Sequence, residues 1–125
     1  NKNTAIDWMF VKKNHKATIK NKLKNGNTVI APIKNNICSN LIAGNENTVG
    51  VRVPNHLFCK ELSKLFPNPI TSTSVNRTGE KPLTKPDDIS NEFISDIDLI
   101  IDDGIINGVG SKIFLFENGS WEQLR

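Results

Sequence analysis

The chain has 125 residues, of which 37% are hydrophobic and 23% charged, and its 16 Lys and Arg outnumber 13 Asp and Glu to give a net charge of +3. This length suits one domain, and the composition excludes wholesale disorder and a collagen-like chain. The apolar runs are far shorter than the roughly 20 residues of a membrane-spanning helix, and the mild basic balance is compatible with a phosphate-bearing partner without requiring one.

The first part of the chain predicts a helix over residues 4–25. Ile6 and Leu23 are among its apolar marks, and Asn25-Gly26 is typical of a helix stop. The lysines crowded into this segment have the spacing of the solvated side of a helix. A nucleic-acid-binding patch is the alternative interpretation.

Alternating strands and a helix are predicted next. Two β-branched runs predict strands over residues 28–33 and 48–54, and a weaker strand is predicted over residues 37–43. A helix is predicted over residues 56–66, where leucine and phenylalanine recur at helical spacing, with Asn55 as its N-cap.

The second half predicts a short strand over residues 70–74, a helix over residues 86–94 and a strand buried on both faces over residues 97–101. Residues 112–116 and 121–124 predict a terminal β-hairpin. Strands interleaved with helices and followed by a hairpin predict an α/β or α+β single domain with a mixed sheet.

Cysteine usage indicates a reducing, cytoplasmic location. Cys38 and Cys59 lie 21 positions apart without a C-x-x-C motif or a nearby pair of histidines, so neither a zinc site nor a disulfide framework is indicated. Neither histidine is expected to act in catalysis. The aspartates around residues 97–101 are assigned to turns and strand edges rather than to a metal site.

The segment with most chemistry is residues 70–81, I-T-S-T-S-V-N-R-T-G-E-K. Hydroxyls, an amide and an arginine are concentrated here where a predicted strand meets a Gly-containing loop. Such a loop can bind phosphate oxygens or a small carboxylate. The alternative is a Ser/Thr-rich turn whose hydroxyls bond their own backbone.

Five segments carry a further pattern. They are V-G-V-R-V-P-N-H at 49–56, P-I-T-S-T-S-V-N-R-T-G-E at 69–80, D-L-I-I-D-D-G at 98–104, G-S-K-I at 110–113 and the final L-R. In order and spacing they resemble the landmarks of the YrdC-like domain family, over roughly residues 26–125. The resemblance implies a twisted mixed sheet with flanking helices. It also implies that residues 1–125 represent the later two thirds of a complete single domain.

Members of that family are threonylcarbamoyl-AMP synthases. The resemblance therefore implies an enzyme that joins L-threonine, bicarbonate and ATP, with magnesium, into threonylcarbamoyl-adenylate and releases pyrophosphate. The product would pass to a downstream threonylcarbamoyl-transferase machinery for tRNA modification. Contact with tRNA itself is expected to be indirect or weak, and no membrane is involved.

The resemblance also implies site residues. Arg52 would bind phosphate or carboxylate oxygens through its forked donors and act in catalysis, a surface ion pair being the alternative. Ser74 and Asn76 match the nucleotide contacts of an S-x-N motif, with Ser74 also taking part in catalysis. Thr73 lies beside them as a further hydroxyl donor to the nucleotide.

Two further residues match the family pattern, and the sequence departs from that pattern at two places. Ser111 is expected near the threonine substrate, and Arg125 is expected to close over the phosphates. The family has Thr where Lys112 stands, and it has a K-x-R motif that grips ATP, of which residues 12–14, K-K-N, are only an echo.

Two rival functions stay open. The first is a YrdC-like module that binds nucleotide or RNA without forming the adenylate. The second is the related domain of hydrogenase-maturation carbamoyl transferases, which handles carbamoyl-adenylate.

Overall fold

The computed structural model describes residues 1–108 and 110–125. These residues form two compact units. The sheet unit consists of Asn1–Pro69 and Ser111–Arg125, and the loop unit consists of Ile70–Gly110. The predicted boundaries of one domain, 1–125 as the later part of a complete one, stay a prediction.

The sheet unit contains a four-stranded sheet in the order β2-β1-β3-β4. Its strands are β1 (Thr28–Pro32), β2 (Thr48–Arg52), β3 (Ile113–Glu117) and β4 (Ser120–Gln123). β1 pairs antiparallel with β2 and parallel with β3, and β3 pairs antiparallel with β4. The predicted mixed sheet is therefore confirmed.

The terminal hairpin is also confirmed, and its turn explains why it forms. Asn118 and Gly119 alone connect β3 to β4, and both have positive φ, at 50° and 84°. Two-residue turns of this kind match the right-handed twist of paired strands and favour Asn-Gly. In addition, a Cβ on Gly119 would lie 3.1 Å from Cε1 of His15, so this turn is closely packed.

Two short helices cover one face of the sheet: α1 (Lys2–Trp8) packs against α2 (Lys16–Lys22), which packs against β1. Their apolar side chains meet those of the strands in one core, whose buried members are Ala5, Ile6, Met9, Ile19, Leu23, Val29, Ala31 and Phe116. The flanking helices of the predicted fold class are thus confirmed.

The single helix predicted over residues 4–25 is wrong, because Met9 leaves the helical conformation. Its backbone is extended (φ −77°, ψ 140°) and bridges Ile33, while Phe10 N–H donates to the carbonyl of Pro32 at 2.8 Å. Met9 is only 1% exposed. Pairing with the sheet and burial of this side chain outweigh the local tendency to continue the helix.

Helix α2 ends at Lys22, and a 3-10 turn over Lys24–Gly26 follows it. Asn25 and Gly26 have positive φ, 58° and 70° respectively, so the right-handed helix does not continue past them, and the predicted stop is confirmed to within three residues.

Three predicted strands are wrong. Residues 37–43, 70–74 and 97–101 form turns or irregular backbone. In the last of these segments Leu99 is 76% exposed and Ile101 is 57% exposed, so the apolar run is not a buried strand. A segment of strand-forming composition becomes a strand only where another strand supplies hydrogen-bond partners, and no strand among the described residues pairs with these segments.

Both later helices are confirmed as α3 (Leu57–Leu65) and α4 (Pro86–Phe93). The N-cap of α3 is His56 and not the predicted Asn55, and no side chain caps that end. Helix α4 starts as predicted, with Pro86 in its first turn and acidic side chains beside it. Among the described residues, no helix has the length and apolar character needed to cross a bilayer.

Two leucines provide a test of where the core lies. Leu23 is fully buried, whereas Leu65 at the end of α3 is 86% exposed. Leu23→Ala is expected to lower the free energy of unfolding by roughly 2–5 kcal/mol, because it leaves a cavity. The matched Leu65→Ala is expected to change it by no more than about 0.5 kcal/mol. Urea unfolding measures both, and equal losses would contradict the described core.

Candidate functional site

Three of the predicted site residues meet at one end of the sheet. Arg52 ends β2, Ser111 precedes β3 and Arg125 follows β4. Thr28, the first residue of β1, pairs with Arg52 on one side and with Ile113 on the other. We call the group formed by Gly26, Thr28, Arg52, Ser111 and Arg125 the sheet end.

Arg52 is held by the backbone of the preceding turn. Its Nε–H donates to the carbonyl of Gly26 at 2.8 Å. Gly26 is buried with a φ of 70°, and a Cβ there would lie 3.5 Å from Nη2 of Arg52. Nη1 and Nη2 bond no other residue that the structure describes. One edge of the guanidinium is therefore fixed, and the remaining donors are available to an anion.

Ser111 links the two central strands. Its hydroxyl is hydrogen-bonded to that of Thr28 at 2.8 Å, and its carbonyl accepts from Nε–H of Arg125 at 3.0 Å. The Arg125 carbonyl in turn accepts from the N–H of Ile113 at 3.0 Å. Arg125 is thus anchored like Arg52, with Nε on a backbone carbonyl and the Nη groups pointing to no described partner.

The side chains of Thr28 and Arg52 lie on the sheet face opposite the helices. The neighbouring Val29 is fully buried in the core on the helix side, and successive side chains of a strand point to opposite faces. Arg52 is exposed. The alternative that Arg52 forms a surface ion pair is not seen, because no carboxylate of the described residues lies within salt-bridge distance of it.

The other predicted residues share a loop in the loop unit. Thr73 and Ser74 are exposed, and neither hydroxyl bonds another described residue. The alternative that these two hydroxyls satisfy their own backbone is therefore not what the structure shows. The loop begins without the predicted strand, because residues 70–74 are irregular backbone.

Asn76 differs from these hydroxyl residues because it is half-buried. Its Nδ2–H donates to the carbonyl of Arg77 at 2.9 Å, while its Oδ1 is buried and has no partner among the described residues. A buried acceptor without a partner costs free energy. Asn76 also lines an open cleft, which makes this residue a candidate ligand contact.

Arg77 is counted among the polar residues of this loop in the sequence analysis but is given no role of its own there. It lies in an ion-pair network with Glu92 and Asp96, and hydrogen bonds to Glu92 and then to Asp96 raise its pKa above the usual value. An open cleft of about 300 Å³ lies beside it, lined also by Asn76 and Phe93. No spacing in the sequence links an arginine to carboxylates so far along the chain.

Other candidates have structural roles or none. His15 packs edge-on against Phe116 with ring centroids 5.2 Å apart, and Trp121 packs against Phe116 at 4.9 Å, so both rings take part in the packing of the hairpin. Among the residues that the structure describes, no group of three or more His, Cys, Asp or Glu side chains is placed to hold a metal ion.

Comparison with known proteins assigns the fold. The sequence profile of the Sua5/YciO/YrdC family, described as telomere recombination, matches residues 3–125. The chain belongs to the Sua5/YciO/YrdC family. The match begins well before residue 26, so the family relationship also includes the two N-terminal helices. The crystal structure of E. coli YciO superimposes with a TM-score of 0.87 at 21% identity, covering 100% of this chain and 61% of that one.

Relatives in this family are named threonylcarbamoyl-AMP synthase. The protein from Idiomarina loihiensis is 28% identical over an alignment of 96 residues, which covers 70% of this chain and 51% of the relative. The protein from Photobacterium profundum is 33% identical over 75 residues, which are 60% of this chain and 40% of the relative. The chain spans about half the length of the curated relatives it matches.

Anion binding by the anchored guanidinium of Arg52 can be tested by substitution. Arg52→Lys keeps the charge but removes both the Nε–Gly26 bond and the fork. Its affinity for inorganic triphosphate, measured by titration calorimetry, is expected to fall on the order of tenfold. Thermal unfolding should show that the variant remains folded. Unchanged affinity in a folded variant would mean that Arg52 does not bind the anion through its fork.

Proposed function

We propose that this chain forms threonylcarbamoyl-adenylate from L-threonine, bicarbonate and ATP, as the synthase named among its relatives would. The single observation that carries the proposal is the sheet end, where Arg52 and Arg125 are each anchored through Nε to a backbone carbonyl and keep their Nη donors available. Two preoriented guanidinium groups beside a serine hydroxyl suit a reaction between two anions.

The chemistry requires alignment more than a strong base. Threonine's amine adds to bicarbonate or carbon dioxide to give a carbamate, and water is lost when bicarbonate is the source. A carbamate oxygen then attacks the α-phosphorus of ATP, and the bond from this phosphorus to the bridging oxygen breaks so that pyrophosphate leaves. Both reactants are negatively charged, so fixed positive donors lower the barrier by offsetting charge that develops in the transition state.

Each site residue has a role in this proposal. Arg52 would bind carboxylate or phosphate oxygens and stabilise charge during the transfer, while Arg125 would bind the phosphates. Ser111, whose hydroxyl bonds that of Thr28, would face the threonine substrate. These roles agree with the polarity of the sheet end, whose side chains offer guanidinium and hydroxyl donors and include no acidic group.

The loop residues would bind the nucleotide. Ser74 and Thr73 offer exposed hydroxyls, and Asn76 offers an amide that lines an open cleft. An amide can donate and accept at the same time, which suits a nucleotide's hydroxyl and phosphate groups. Magnesium would enter with the ATP phosphates, because this ion keeps several waters and needs few protein ligands.

A second candidate function is a nucleotide- or RNA-binding module that forms no adenylate. The observation that favours it is that residues 12–14, K-K-N, are only an echo of the family's K-x-R motif, with Asn14 where the arginine would stand. An arginine that would help to align ATP for the transfer is therefore not matched in this sequence. A role in the cytoplasm upstream of a threonylcarbamoyl-transferase machinery acting on tRNA follows only from the first candidate.

One assay separates the two candidates. The chain is incubated with L-threonine, bicarbonate and magnesium-ATP, and both pyrophosphate and the adenylate are measured, the latter by mass spectrometry. The proposed synthase requires that both products depend on threonine and bicarbonate. ATP binding without either product would support the second candidate instead.

The loop assignment is tested by alanine substitution. Ser74→Ala and Asn76→Ala are each expected to lower adenylate formation by about tenfold or more, because each removes a positioned group that binds the nucleotide. Ser72→Ala is the control, since it removes a hydroxyl of the same loop outside the S-x-N motif. Wild-type activity in both loop variants, or an equal loss in Ser72→Ala, would refute the assignment.

A further inference from the structure

Arg77 connects the nucleotide-binding loop to helix α4. Its Nε–H donates to Oε1 of Glu92 at 2.9 Å, and Nη2 donates to Oδ2 of Asp96 at 2.7 Å and to the carbonyl of Glu92 at 3.2 Å. Glu92 lies in the last turn of α4, and Asp96 follows the helix closely. The Arg77 side chain therefore bonds one residue inside the last turn of α4 and one residue just after the helix.

The Phe93 ring restrains the Arg77 guanidinium in the direction perpendicular to the guanidinium plane. The guanidinium carbon of Arg77 lies 4.4 Å from the centroid of the Phe93 ring. Hydrogen bonds restrain a guanidinium within its plane, and stacking on an aromatic ring restrains it perpendicular to that plane. An exposed ion pair alone contributes little stability, so it is this combination of contacts that gives Arg77 a defined orientation.

The backbone of Arg77 carries this orientation to Asn76. The carbonyl of Arg77 accepts from Nδ2 of Asn76 at 2.9 Å and from the N–H of Glu80 at 3.0 Å. The side chain of Arg77 thus sets where residue 77 lies, and its carbonyl sets where the Asn76 amide points. That amide is the group with a buried Oδ1 lacking a partner.

We propose that Arg77 is a positioning residue, which holds the loop on α4 so that Ser74 and Asn76 are ordered before the nucleotide binds. This inference rests on the proposed function, because it takes these two residues as nucleotide contacts. It goes beyond that function because Arg77 itself touches no substrate and acts through Asn76.

A positioning role has a kinetic signature. A loop that is ordered for only part of the time binds ligand with an affinity reduced by that fraction, yet the bound enzyme is the same. Arg77→Gln is therefore expected to raise the KM for ATP on the order of tenfold while kcat at saturating ATP and the KM for threonine stay within about twofold. Arg77→Lys is expected to restore part of the affinity, because an ammonium can replace one ion pair but not the fork.

The controls use the same unit of the chain. Lys81→Gln removes the same charge from a neighbouring exposed residue for which the structure shows no bond, and it is expected to leave the KM for ATP unchanged. Asp96→Asn should weaken ATP binding in the wild type but add little to Arg77→Gln, because both substitutions remove the same contact. Additive losses would show that Arg77 and Asp96 act separately, which would overturn the proposal.

A second measurement needs no activity. Hydrogen exchange of the ligand-free protein is expected to be faster at residues 74–80 in Arg77→Gln than in the wild type or Lys81→Gln. ATP affinity is then measured directly by calorimetry on the same proteins. Equal affinity in wild type and Arg77→Gln overturns this inference alone. A wild-type chain that neither binds ATP nor forms the adenylate refutes the proposed function, and this inference with it.

Discussion

The parallel pairing of β1 with β3 is the constraint on which the rest of the sheet unit depends. It joins Thr28 to Ile113 and places the hydroxyls of Thr28 and Ser111, 83 positions apart in sequence, within 2.8 Å. Because β2 pairs on one side of this couple and β4 on the other, the ends of four strands lie beside each other. Without that pairing, Arg52 and Arg125 would have no common surface.

The sheet end illustrates how backbone can orient charge. Each of its two arginines uses Nε to bind a carbonyl oxygen, of Gly26 or of Ser111. This arrangement reduces the rotamer freedom that a long side chain otherwise loses when it binds an anion. Gly26 is suited to its position because the backbone has positive φ and passes close to the Arg52 guanidinium.

Side-chain contacts, and not strand pairing, hold the hydroxyl-rich part of the loop unit. Its hydroxyl-rich segment, residues 70–74, is irregular backbone, and the contacts of Arg77 with Glu92 and Asp96 lie at half-exposed positions. Such contacts are individually weak, so this part of the chain is expected to open at lower free energy than the sheet core. A nucleotide that bonds the loop would add to its order, which is consistent with the proposed role of these residues in binding.

The sequence by itself determined the local elements. The stop at Asn25-Gly26, the hairpin turn at Asn118-Gly119 and the start of α4 at Pro86 depend on stereochemistry within a few residues, and each was predictable for that reason. The family motifs also identified candidate site residues, whose roles stay proposals. Only the tertiary structure decided the interruption of the first helix, the absence of a strand over residues 97–101 and the assembly of the sheet end. The physical reason is that these outcomes depend on partners distant in sequence: a strand needs a neighbour, and an arginine's contacts cannot be read from its own segment.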